Sequence, residues 1–167
     1  SMPHLNAETR DILRNRLRLA AILFFVGFAA FLVRWFFFWN EWIPERLPLF
    51  LTHGFVTILV GLFAVRLCSH CSFSLKSLRI AELLIFGCPA LFFVVRSVQE
   101  SVIMANLPTG QARLDNLVLP WFLMVFTYAL FIPNIWQRAA VVMGAMGAVP
   151  VAIMGYLYWT VPTFGEL

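Results

Sequence analysis

The sequence predicts an all-α fold, a polytopic transmembrane helical bundle, and three observations lead there. Apolar residues make up 62% of the chain and charged residues 12%, against about 45–50% and about 25% in soluble domains. The mean hydropathy is +0.87, more apolar surface than a core of this size hides, because a soluble domain of about 150 residues leaves roughly 30% of its surface in water. The apolar residues come in long runs broken by short segments rich in Pro, Asn or charge. The period-two alternation of a membrane β-barrel is absent, so the backbone is satisfied within helices.

About 20 apolar residues carry a helix across a bilayer. Five candidate spans follow: Leu17–Trp39, Leu47–Leu67, Leu78–Val98, Leu117–Ile132 and Ala139–Val161. Residues 1–16 form a cytoplasmic basic amphipathic segment; the first helix, capped by Asn6 or Thr9, carries Arg10, Arg14 and, just beyond the segment, Arg18 on one face at i, i+4 spacing, which suits anionic headgroups. This polar start is not a signal peptide. Residues 17–161 are the membrane domain. Residues 162–167 are an extracytoplasmic tail or the start of a linker to a further span.

The first span ends in Trp35-Phe36-Phe37-Phe38-Trp39, then Trp42, an aromatic belt for the outer interface. The stretch Gln99–Asn116, with Pro108-Thr109-Gly110, reads as the longest loop. Orientation follows from Lys and Arg. Arg10, Arg14, Arg16, Arg18, Arg66, Lys76, Arg79 and Arg138 fall on one side, against Arg34, Arg46, Arg96 and Arg113 on the other. The richer side is cytoplasmic, which puts the N-terminus inside and, after five crossings, Leu167 outside. The net charge of +4 is thus a topology signal and not one for nucleic acid.

The fourth and fifth spans meet in a tight cytoplasmic hairpin. Pro133 ends the fourth helix near Ile132, Asn134 caps the next, Trp136 sits at interface depth and Arg138 faces the cytosol. In the fifth span Ala140, Gly144, Ala148 and Ala152 recur every four residues, a small-residue face of the kind that lets membrane helices approach closely.

The run Tyr128-Ala129-Leu130-Phe131-Ile132-Pro133-Asn134-Ile135-Trp136-Gln137-Arg138-Ala139-Ala140 resembles the membrane region of planctomycete-type bacterial serine/threonine protein kinases. So do Ser74-Leu75-Lys76-Ser77-Leu78-Arg79-Ile80-Ala81-Glu82-Leu83 and the following Phe86-Gly87. The likeness extends from about Arg14 to Pro150. It implies a six-span domain in the bacterial cytoplasmic (inner) membrane, joined to a cytoplasmic kinase or, in related arrangements, a class III nucleotide cyclase. ATP and Mg would belong to that attached kinase, since the Gly-rich phosphate loop, the catalytic-loop Asp and the Asp-Phe-Gly motif are absent from these residues. With five spans against six, the expectation is a chain that stops before a sixth.

Ionisable groups within spans are costly and point to function or to a paired structural role. Glu82 either locks a helix arrangement through Arg66, Arg79 or Arg138, or takes i, i+3 support from Arg79. Arg34 snorkels, binds a lipid phosphate, or pairs with Glu41, Glu45 or Glu100. His53 is a proton-sensitive group or a hydrogen bond between helices. If Arg34, His53 and Glu100 converge, they form an outward-facing polar pocket for a lipid or small molecule. Cys68-Ser69-His70-Cys71 lacks the second cluster of a zinc site, and the reading is of reduced thiols with no metal. Pro89, Pro120 and Pro150 are hinges or static kinks, and the Phe and Trp runs are packing.

No catalytic residue is assigned. The functional expectation is an anchor and sensor that regulates a kinase by homodimerisation or helix rearrangement. The alternatives are a cyclase's regulatory membrane domain, a small transporter or channel, which would show paired midplane charges or an inverted repeat, or a lipid enzyme, which would need a His/Asp/Glu cluster.

Overall fold

The computed structural model describes residues 3–37, 47–68, 73–105, 118–132 and 136–160. They form five helices, α1 (Pro3–Phe37), α2 (Leu47–Cys68), α3 (Leu75–Ala105), α4 (Leu119–Phe131) and α5 (Trp136–Thr160), with no strand among them.

The helices match the predicted spans in order, and their ends depart from them in instructive places. Helix α1 starts at Pro3, so Asn6 and Thr9 are interior residues and not caps. Proline suits a first turn, where its missing N–H has no partner to lose. The basic segment and the first span are therefore one helix. Helix α3 runs on from Gln99 to Ala105, residues that the sequence reading gave to the loop; the remaining loop residues 106–116 lie outside the described ones. Polarity had suggested an end, but Ser97 and Glu100 are buried, so packing carries the helix onward. Its start is capped as the sequence allows. The Ser77 N–H donates to Ser74 Oγ at 3.1 Å, the N3-to-cap bond of a serine cap.

Helix α4 has 13 residues and is about 20 Å long at 1.5 Å per residue, short of a hydrocarbon layer of about 30 Å. Helices α1, α2, α3 and α5 each contain a stretch long and apolar enough to cross a membrane.

Two compact units share the chain, residues 1–89 with 130–133, and residues 90–129 with 134–167. The boundary in α3 falls beside Pro89, a residue with no backbone N–H to give Ile85. In the first unit α1 packs along α2. Leu13, Leu17, Ala20, Ala21, Phe24 and Phe28 form its buried stripe, at the three- and four-residue spacing of one helix face. Phe24 meets Phe86 of α3 edge to face at 5.2 Å. Gly61 admits the Phe25 ring, which would stand 2.9 Å from a Cβ at that position. In the second unit Phe93 lies against Trp121 at 6.4 Å, and Trp121, Met124, Tyr128, Met146 and Ile153 are buried.

The polarity of α2 is inverted relative to a soluble helix. Its inner face carries His53 and Thr57 among aliphatic residues, while Leu51, Phe55, Ile58, Leu62 and Val65 are 60 to 70% exposed. Those five repeat at intervals of three and four, so they line one outward face. Water would reverse this arrangement; lipid favours it. Leu83, Leu91, Phe126, Leu130, Val141 and Val151 on the other helices are also exposed. With four helices of spanning length, the chain is an integral membrane protein.

Candidate functional site

The charged and polar groups fall into local clusters, each built by a particular helix pair or helix turn. His53 lies on the inner face of α2, 6% exposed. Its Nε2 is 3.0 Å from the Phe28 carbonyl of α1. A carbonyl only accepts, so Nε2 carries the hydrogen and donates it. The imidazole also stands edge-on to the Phe28 ring at 5.2 Å, and Thr57 Oγ1 donates back to the His53 carbonyl at 2.8 Å. His53 thus ties α1 to α2.

Arg34 is exposed in the last turn of α1, where a cation meets the negative end of the helix dipole. Glu100 is 9% exposed, buried like Ser97 one turn earlier. Arg96 precedes it by four residues and is half-buried. Arg34 and His53 belong to the first unit and Glu100 to the second. The three predicted pocket residues are therefore not a site of either unit.

Glu82, 4% exposed, is the most deeply buried carboxylate among the described residues. Arg79 Nη1 donates to its Oε2 at 2.5 Å from one turn back on α3. This is the i, i+3 pair expected from the spacing, and it holds charge in a low-dielectric layer where an unpaired carboxylate would be costly.

The four small residues of α5, Ala140, Gly144, Ala148 and Ala152, are all exposed. A Cβ added at Gly144 would meet nothing within 4 Å, so among the described residues this position is open. Trp136 and Arg138 are exposed at the start of α5; Pro133 and Asn134 lie outside the described residues. Cys68 is exposed at the end of α2, and His70 and Cys71 also lie outside. Among the described residues no three His, Cys, Asp or Glu side chains gather as a metal site would require.

One residue takes a role that the sequence reading missed. Arg14 was placed on a face for headgroups, yet its Nε donates to the Leu67 carbonyl at the end of α2, 3.1 Å away. Its guanidinium also lies over the Phe73 ring, 5.6 Å from the centroid. The last carbonyls of a helix lack intrahelical donors, and Arg14 supplies one from 53 residues away in the chain. The clue available was the neighbouring Leu13 and Leu17, which turn this stretch of α1 toward protein.

Compared with family models, curated proteins and solved structures, the chain matches none of them.

Proposed function

We propose that the chain is the membrane anchor and sensor domain of a bacterial signalling protein, acting on a cytoplasmic serine/threonine protein kinase through dimerisation. The observation that carries this reading is the outward small-residue face of α5. Ala140, Gly144, Ala148 and Ala152 are exposed together, and close backbone approach along such a face is how membrane helices associate. A dimer would hold two attached kinase domains at high effective concentration and favour phosphorylation in trans. The likeness of the 74–87 and 128–140 runs to kinase membrane regions supplies the class of attached domain.

In this reading the N-terminus is cytoplasmic, on the side with more Lys and Arg, and all five helices cross. The apolar run of 117–132 serves the short α4 with local thinning of the bilayer.

The test is cross-linking and autophosphorylation of the full-length protein in vesicles. Gly144→Leu and Ala148→Leu place bulk on the α5 face and are expected to abolish cross-linked dimer and lower autophosphorylation by about 100-fold, the lower end of the 10²–10⁴ range available to tethered association. Val65→Leu, on the lipid-facing side of α2, should change neither. Dimer and phosphorylation that persist in Gly144→Leu would refute the reading.

A further inference from the structure

We propose that a cleft between the end of α2 and the start of α3 is a binding site for an anionic phospholipid, holding the phosphate at Arg66 and Lys76 and an acyl chain along Phe63 and Ile80. The cleft has a volume of about 440 Å³ and lies wholly within the first unit. That is the size range of small-ligand sites.

Its lining is divided chemically. Arg66, Lys76, Ser74 and Ser77 supply two cations and two hydroxyls, with no carboxylate among the lining residues. Phe63, Ile80 and their apolar neighbours supply the rest, and Ile80 is 59% exposed on the lipid side. A free inorganic anion would gain from the first group and lose by contact with the second. A phospholipid satisfies both. Depth agrees, because Arg66 is in the last turn of one spanning helix and Lys76 in the first turn of the next, which is headgroup level. Basic pockets between membrane helices take lipid headgroups of this charge.

The walls are also held in place. Arg14 ties α1 to the Leu67 carbonyl and covers Phe73, and both of those residues line the cleft. Ser74 caps α3 from within the lining. The cleft is therefore built before a lipid enters, so little ordering opposes binding. The inference rests on the membrane reading of the chain and needs neither a dimer nor an attached kinase.

Native mass spectrometry of the full chain in detergent tests it, with phosphatidylglycerol or phosphatidylcholine of the same acyl chains added. The wild type should retain phosphatidylglycerol and shed phosphatidylcholine. Arg66→Gln/Lys76→Gln should lower retention about 30-fold, since each basic group near anionic headgroups contributes a factor of about five. Lys76→Arg should restore most of the loss in the Lys76→Gln single variant, which separates charge from folding. Arg138→Gln should have no effect. Glycerol phosphate at millimolar concentration should not displace the lipid. Equal retention of the two lipids, an unchanged double variant, or displacement by glycerol phosphate would each overturn the proposal. A chain that inserts into vesicles yet shows no lipid preference defeats the lipid site alone; one that does not insert defeats the membrane reading beneath it.

Discussion

His53 shows how a single side chain is fixed by its partner. Its Nε2–H to the Phe28 carbonyl, 3.0 Å long, joins two helices where the surrounding lipid offers no alternative hydrogen bond. Such bonds in membranes average about 0.6 kcal/mol and reach about 1.7. His53→Ala removes the bond, the ring contact with Phe28 and the buried volume, so the expected loss is about 2–3 kcal/mol of stability, measured by unfolding in detergent. His53→Phe keeps the volume and is expected to cost no more than the bond, about 0.6–1.7 kcal/mol. Equal losses for the two variants would mean that the bond and not the packing sets the stability. The possibility of a histidine between helices was legible in the sequence. The choice of Phe28 was not, because the partner is a backbone carbonyl and carries no side-chain signature.

At the scale of the helix, the ends decide more than the middles. The apolar runs located all five helices, since the hydrophobic requirement of a bilayer leaves little freedom inside a span. Boundaries were harder. Asn6 and Thr9 looked like caps, but α1 begins at Pro3; Ser74, not singled out in the sequence, caps α3. Ser, Thr and Asn stop a helix only when the preceding chain turns away, and that is a tertiary matter. Ser74→Ala is expected to cost about 1 kcal/mol and to raise amide exchange in the first turn of α3, at Ser77 and Leu78, while leaving α2 unchanged. Unaltered exchange at Ser77 would show that the cap does not hold that end. Glu82 belongs to this scale too. Its pairing with Arg79 could be read from the i, i+3 spacing, whereas its depth in the first unit could not.

For the whole molecule, the open quantity is the number of crossings, and it turns on α4. The odd count of five rests on the largely apolar 16-residue run 117–132, of which 13 residues are helical. If α4 crosses, a reporter fused at the C-terminus lies outside the cytoplasm. Alkaline phosphatase fused there is expected to be active, and a cytoplasmic reporter fused at the N-terminus likewise. An inactive phosphatase fusion would make α4 a re-entrant element and return the C-terminus to the cytoplasm.

Composition and periodicity by themselves determined that this chain is helical, that lipid is its solvent and roughly where each helix lies, because a bilayer imposes length and internal hydrogen bonding on any segment that enters it. Only the tertiary structure decided which face of each helix turns inward. The outward Leu, Phe, Ile and Val of α2 and its inward His53 and Thr57 follow from packing: when every face is apolar, hydrophobicity no longer chooses the core, and the few polar groups that need partners do. The same reason hid Arg14. Counted as one of several surface cations, it is placed by the fold against the free carbonyl end of α2, because a helix terminus in a low-dielectric layer needs a donor wherever the chain can bring one.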